Sequence, residues 1–583
     1  MPSSLIDADS VMAVDVGSCT TRATLFDVVE GSYRFIAIGQ SPTTAAAPFM
    51  DVGEGVVRAI ENLQETTGRK FLSSDRSLII PSQDGVGIDT FVATISAGPA
   101  IKTVIVGLLN DVSLQSVNRL ARSTYARIVE RIGVNDRRKP EGQIDSILRL
   151  EPDLILIAGG TNDGATKSVQ KIIDIIGLAC YLMPPESRPS VLYAGNQAMS
   201  DEVTESLSTL TPLLHISPNI RPSLDVDDLQ PASRELADLN IQIRRSKLGG
   251  VEELYSWSGG NLLPTAYAQG RLIRFMSQAY KSNKGILGVD IGASATTIAA
   301  GFHGELTLGV YPQFGLGEHL PGLLRYTSLD DILRWLPLEI PANYVQDYLY
   351  QKSTYPDSMP ATIEDMAIEQ AITRQVLRLA IVTANKDIPA NVHRPSSGGL
   401  PYFELILVGG SAITNASTIG QGLLMVLDGI QPVGTTTIIL DQNHLLPGIG
   451  AAAEINPTLP VQILESGAFM GLASVVTPVS NARIGTPILS GRLVTKNGTE
   501  TKFEINQGTL DVLALPSGQT GQLFLEPLHR TDVGFGPGRS GDIQVSGTQV
   551  GVVIDARGRP LQLSNENGRR REMLKKWIWT LGG

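Results

Sequence analysis

One short motif occurs twice in this chain. At Val11–Asp27 it reads VMAVDVGSCTTRATLFD, and at Gly288–Gly301 it reads GVDIGASATTIAAG. In each copy an apolar run reaches an aspartate (Asp15, Asp290), a small-residue loop follows, and a second β-type run begins, the pattern of a strand–turn–strand hairpin. The first loop offers Gly17, Ser18, Cys19, Thr20 and Thr21. The second offers Gly292, Ser294, Thr296 and Thr297, and reads as one residue longer between the aspartate and the threonine pair. Such turns aim backbone N–H groups and hydroxyls at an anion, and a carboxylate at a strand end suits a hydrated cation. A single Asp-x-Gly triplet is an ordinary strand exit; two hairpins of the same wording predict a fold of two like halves.

A second pair of segments strengthens the duplication. Leu154–Gly164 (LILIAGGTNDG) and Leu405–Asn415 (LILVGGSAITN) are each an apolar strand running into a glycine pair and then a helix start. A strand, a glycine turn and a helix amino end place N–H groups where a phosphate or ribose can sit. Gly159, Gly160 and Thr161 are therefore read as the pseudo-symmetric counterpart of Gly409, Gly410 and Ser411. A nucleoside triphosphate held by such halves needs hydroxyl and N–H donors for its phosphates. It also needs carboxylates that bind Mg²⁺ mostly through water or position the attacking water.

Between these landmarks the periodicity predicts strands over 31–40, 77–80, 90–96 and 191–197. Helices are predicted over 51–67, 113–132, 168–176, 234–244, 264–280 and 363–386, the last being the longest. From about Thr477 short alternating runs separated by turn residues predict a small antiparallel β domain. Gly534–Gly541 (GFGPGRSG) contains Pro537 and lacks a strand–turn–helix setting, so it reads as a hairpin loop. The chain closes on a basic amphipathic helix over 569–579. The predicted fold class is α/β, with divisions at 1–250 and 251–476 for the two halves, 477–562 for the β domain and 563–583 for the terminal helix.

Composition narrows the function. With 583 residues, about 3–5 domains are expected. The formal charge of -11 argues against a general nucleic-acid binder, which needs a basic face. Cys19 and Cys180 are the two cysteines, too few for a disulfide framework or a four-cysteine metal site, which suits a reducing cytoplasm. The opening MPSSLIDADS lacks the basic and apolar regions of a signal peptide, and no apolar run reaches ~18 residues, so no membrane span is expected. The histidines show no ligand spacing and read as solvated or satisfied core residues.

Over roughly 11–455 the chain resembles the superfamily of acetate and sugar kinases, heat-shock chaperone ATPases and actin. Asp15–Thr21 matches its first phosphate motif, Asp290–Thr297 its second and Leu407–Ser411 its adenosine motif. Within it, VDVGSCTTRATLFD, LILIAGGTNDG, VLYAGN, SPNIRPSLDV and GVDIGASATT are most similar to the MutL/GlmL family, named for its linkage to adenosylcobalamin-dependent glutamate mutase. That resemblance implies two actin-like (ribonuclease H-like) lobes closing over ATP and Mg²⁺. Asp15 and Asp290 would be the catalytic and metal-facing carboxylates. Gly17, Ser18, Thr20, Thr21, Gly292, Ser294 and Thr296 would line the phosphates, and Gly409, Gly410 and Ser411 the adenosine. It further implies an ATP-dependent reactivating chaperone whose partner is a cobalamin-dependent mutase. Two alternatives stay open: a small-molecule kinase of the same fold, and a non-catalytic scaffold, since Ile298 stands where many relatives carry a further acidic residue.

Overall fold

The computed structural model of the chain describes residues 9–280, 282–395 and 398–582. It separates into two compact units, one of Asp9–Leu25 with Ala37–Ala268, the other of Phe26–Ile36 with Gln269–Gly583.

The first unit starts with β1 (Val11–Val16), the part of β2 (Thr20–Val29) up to Leu25, the part of β3 (Ser32–Pro42) from Ala37, and β4 (Thr90–Ile95). It then diverts through β5 (Ile101–Val106), β6 (Ala126–Ile132), β7 (Leu154–Ile157), β8 (Ser190–Tyr193) and β9 (Leu214–Ile216) before returning at β10 (Leu262–Pro264). The sheet order β10-β4-β1-β2-β3 puts β4 parallel to β1, and β10 parallel to β4. The diverted strands build a sheet of their own, β6-β5-β7-β8-β9, parallel throughout. Parallel strands buried on both faces need apolar residues in both phases. Val104, Ile155 and Val191 pack on one side with Ile173 and Ile176 of the helix Lys167–Leu182. Ile105, Leu156 and Leu192 pack on the other with Leu236 and Leu239 of the helix Gln230–Lys247. At the root of this insert the buried Arg244 guanidinium donates to the Ala97 carbonyl.

The second unit contains β11 (Gly285–Ile291), β12 (Thr296–Phe302), β13 (Glu305–Tyr311), β14 (Phe403–Gly409), β15 (Gly434–Leu440) and β16 (Met470–Thr477). It continues with β17 (Pro487–Thr495), β18 (Glu500–Asn506), β19 (Leu510–Leu513), β20 (Thr520–Pro527), β21 (Gly541–Ser546) and β22 (Val552–Asp555). Its large sheet runs β13-β12-β11-β14-β15-β16-β22-β19. The first three of these strands pair antiparallel, while β14 and β15 join parallel. Counted from each hairpin, both units share the strand order 3-2-1-4-5. The fold is α/β with two actin-like sheets, and a separate antiparallel sheet, β18-β17-β20-β21, stands in the C-terminal region.

Several expectations are corrected. The predicted helix over 113–132 ends at Ala121, and its second half is β6. Ile128 and Ile132 fit a helical spacing, but the β-branched run ARIVERI gains a ladder against β5 that a helix cannot offer. The stretch 77–80 is irregular, with a single bridge between Leu72 and Leu78. Not all C-terminal strands belong to the small sheet: β22 and β19 extend the large one. The terminal helix is Asn567–Thr580, and its Leu574 and Trp577 enter the same core as Leu423 and Leu427 of the helix Ile419–Ile430.

A buried ion network lies under that helix. Asp428 accepts from Arg557 Nη1 at 2.7 Å and from Arg374 Nε at 2.8 Å. Asp555 accepts from Arg557 at 2.8 and 2.9 Å and from Arg559 at 2.7 Å. Arg557 also stacks 4.6 Å from the Trp577 ring centroid.

Candidate functional site

Asp15 is the last residue but one of a fully buried strand and is itself 5% exposed. In the parallel ladder it faces Thr94 of β4, whose hydroxyl donates to Asp15 Oδ1 at 2.6 Å. The Thr265 hydroxyl donates to the same oxygen at 2.8 Å. Two hydroxyl donors on one oxygen fix the orientation of the carboxylate. The turn after it closes by Gly17 N–H donating to Thr20 O at 3.1 Å, and a Cβ on Gly17 would lie 2.7 Å from that carbonyl, so glycine is required there.

The second turn closes in the same way, Gly292 N–H donating to Ala295 O at 2.9 Å. The turns themselves are equal in length, and the second threonine pair starts one residue later, after the turn closure. Asp290 matches Asp15, Gly292 matches Gly17, Ala295 matches Thr20 and Thr296 matches Thr21; the two Thr-Thr pairs are offset by one. Thr21 and Thr296 are both fully buried. Thr21 shares a 2.8 Å hydroxyl bond with Thr43, and Thr296 donates to the Phe314 carbonyl at 2.7 Å. Both tie the hairpin to a later segment, so their hydroxyls are spent inside the fold. The accessible hydroxyls are Ser18, which is exposed, and Thr20 and Ser294, which are half-buried.

Asp290 lies opposite Gly409 in the β11–β14 ladder. A Cβ on Gly409 would lie 3.0 Å from Asp290 Oδ1, and one on Gly410, at φ +112°, would lie 2.4 Å from the Ile291 carbonyl. The glycine pair lets the end of β14 come hard against the hairpin, and Ser411, exposed, opens the short helix that follows. Two neighbours escaped sequence reasoning. His444 Nδ1 stands 3.7 Å from Asp290 Oδ1, beside a candidate site carboxylate. Asp441, buried at the end of β15, accepts from Leu445 and Leu446 N–H at 2.8 and 2.9 Å and so caps the next helix. Burial pushes the Asp441 carboxyl up, opposed by His444 and the two N–H donors and reinforced by Asp290. The signal that could have found them is the strand exit Asp441-Gln442-Asn443-His444 next to β14.

Gly159, Gly160 and Thr161 are not brought to either hairpin's sheet. They follow β7 in the inserted parallel sheet, whereas the strand equivalent to β14 is β4. There the glycines serve packing: a Cβ on Gly159 would lie 2.7 Å from the Leu108 side chain, and one on Gly160 3.1 Å from Asn196 Cβ. Asn219 closes the turn by donating to the Gly160 carbonyl at 2.9 Å.

The donor set fits hydrated Mg²⁺, which takes one or two carboxylates and keeps several waters. Each unit presents one such carboxylate, Asp15 in the first and Asp290 in the second, and among the described residues no group of three or more metal-ligating side chains gathers.

Comparison with known proteins adds a family. The family model described as MutL protein matches residues 11–467. Protein MutL of Clostridium tetanomorphum is 25% identical over 300 residues, which are 51% of this chain and 59% of that protein. The match thus spans less than two thirds of the length of this relative. Among solved structures, a nucleotide-free acetone carboxylase is 12% identical with TM-score 0.32, covering 86% of this chain and 81% of that one. A glycerol dehydratase reactivase is 10% identical with TM-score 0.31, covering 77% of this chain and 100% of that one. Among the described residues, no helix is long and apolar enough to cross a membrane.

Proposed function

Because the chain belongs to the MutL protein family, we propose that it binds and hydrolyses ATP as an accessory protein. Its role would be that of a reactivating chaperone for an adenosylcobalamin-dependent mutase such as glutamate mutase, in the cytoplasm. The observation that supports this most is the repeated turn, closed by the same N–H to carbonyl bond after an aspartate in each unit. Ser18, Thr20 and Ser294 contact the phosphates, while Thr21 and Thr296 hold the turns in shape. Gly409, Gly410 and Ser411 flank the adenosine, the two glycines letting the end of β14 lie against the Asp290 hairpin.

The two aspartates divide the work. Asp15, oriented by Thr94 and Thr265, presents a fixed carboxylate to the hydrated Mg²⁺. Asp290 is half-buried, with His444 Nδ1 3.7 Å from its Oδ1, and would orient the attacking water. Bound Mg²⁺ supplies neutralisation of charge on the β- and γ-phosphates. Ordering of the hairpins around ATP, and their release after hydrolysis, is the switch that a partner enzyme would read.

The test is ATP binding and phosphate release by the purified chain, alone, with a cobalamin-dependent mutase and with a panel of sugars. Release that rises with the mutase, and falls about 100-fold in Asp290→Asn with ATP binding retained, is the expected result. Stoichiometric phosphorylation of a sugar would replace this reading with a kinase. Tight ATP binding without release under every condition would replace it with a scaffold.

A further inference from the structure

Large apolar side chains exposed singly are ordinary on a protein surface, but several gathered in one stretch mark a binding face. Tyr344, Tyr350, Tyr355, Met359 and Ile363 are 54–75% exposed. The helix Ala342–Thr354 turns Val345, Tyr348, Leu349 and Lys352 inward, so Tyr344 and Tyr350 stand on its outer side with Asp347 between them. A turn follows, in which Ser358 N–H donates to the Tyr355 carbonyl at 3.1 Å. It leads to Met359 and then to Ile363, the first residue of the helix Ile363–Ala384.

The exposed charge along this stretch has one sign. Asp347, Asp357 and Glu364 are exposed, and Lys352 is the single cation between Tyr344 and Glu364. Lys352 is buried, 3.0 Å from Glu369, and its ammonium donates to the Ser358 carbonyl, so its charge is spent inside. Tyrosine and methionine are the side chains that binding faces enrich, and a carboxylate margin around them selects lysine or arginine across the contact.

The same loop is continuous with the candidate site of its unit. Gly317 N–H donates to the carbonyl of Ala293, which lies in the turn after Asp290, at 2.9 Å. A Cβ on Gly317 would lie 3.0 Å from Pro356 Cβ and 3.1 Å from Ala293 Cβ, so the loop packs beside that turn. At its other end Asn415 Nδ2 lies 3.8 Å from Met359 Sδ, directly after the short helix that Ser411 opens.

We propose that Tyr344, Tyr350, Tyr355, Met359 and Ile363 form the face that docks the partner enzyme, through a partner surface of basic residues set among apolar ones. This rests on the reading of the chain as a mutase chaperone and adds to it the place where the mutase sits. Ordering of the turn around ATP reaches the partner through Pro356 and Met359.

Adenosylcobalamin-dependent glutamate mutase is the probe, bound to the full chain saturated with a non-hydrolysable ATP analogue and followed by surface plasmon resonance. Affinity falls about tenfold or more in Tyr350→Ser/Tyr355→Ser. Association slows in Asp347→Lys/Asp357→Lys. Tyr181→Ser, an exposed tyrosine on the helix Lys167–Leu182, leaves both unchanged. Retained binding of the ATP analogue shows that the variants are folded, and hydrogen exchange on the unaltered chain, with residues 342–363 protected by the mutase, gives the answer without them. Mutase binding that the tyrosine and aspartate variants leave unchanged, or protection confined to other segments, overturns the docking face and leaves the chaperone reading standing. A mutase that does not bind the unaltered chain overturns both. Self-association of the chain that Tyr350→Ser/Tyr355→Ser abolishes gives the face to a second copy and overturns the proposal.

Discussion

Replacing Asp428 with asparagine should remove more stability than any single change at the surface. The carboxylate is wholly buried and bonded on both oxygens, to Arg557 at 2.7 Å and Arg374 at 2.8 Å. Arg557 keeps Asp555 after the change, whereas Arg374 loses its carboxylate while 3% exposed. The amide nitrogen of the new side chain must also face a guanidinium donor. Breaking a buried pair from one side costs about 3–5 kcal/mol, because the remaining charge stays desolvated. With a urea dependence of about 2–3 kcal/mol per M, the midpoint should fall by about 1.5 M. The assay is urea unfolding followed by tryptophan fluorescence, for which Trp577, stacked on Arg557, is the local reporter. Adding Arg374→Met to Asp428→Asn should recover a large part of the loss, since an apolar group of similar length carries no charge to strand. A loss under about 1 kcal/mol for the single change, the value of an exposed pair, would refute the reasoning.

The remaining expectations are quickly stated. Burial pushes the Asp555 carboxyl up, but Arg557 and Arg559 more than reverse this and hold it well below the usual carboxylate range. Its stabilising contribution is therefore complete above about pH 4, the unfolded value, and is lost as pH falls through the depressed folded value; acid titration of stability should show this loss steepest well below pH 4, and Asp555→Asn should flatten it. Gly410→Ala should destabilise by about 1–3 kcal/mol, because its φ is in the left-handed region and its Cβ would meet the Ile291 carbonyl, as thermal unfolding would measure. Burial pushes the Cys180 thiol up to about 11. A thiol reagent should thus label the half-buried Cys19 in the native chain and reach fully buried Cys180 after unfolding, as peptide mass mapping would show.

The hairpins were legible because everything that makes them is local: an apolar run, an aspartate, a glycine where a Cβ cannot fit. Their sheets were less so, because membership of a sheet is set by distant pairing. LILIAGG and LILVGG look alike since both are buried parallel strands whose ends need glycine for close packing, yet one sits beside β5 and the other beside β11. The same cause hid β6, whose isoleucines suit either period until β5 is there to pair with. It also hid Asp441 and His444, which carry no motif and reach Asp290 through the adjacency of β14 and β15. The Thr-Thr pairs were recognisable as a repeat, but only the turn closures and the side-chain bonds to Thr43 and Phe314 show that Thr21 and Thr296 correspond and act as struts.

The parallel insert leaves from β4 and comes back to β10, its immediate neighbour in the host sheet. Departure and re-entry at one seam make it a cassette. Evolution, or an engineer, can exchange such a piece for a short connector without shifting the register of a single host strand, so the hairpin machinery and the insert are free to acquire their properties separately.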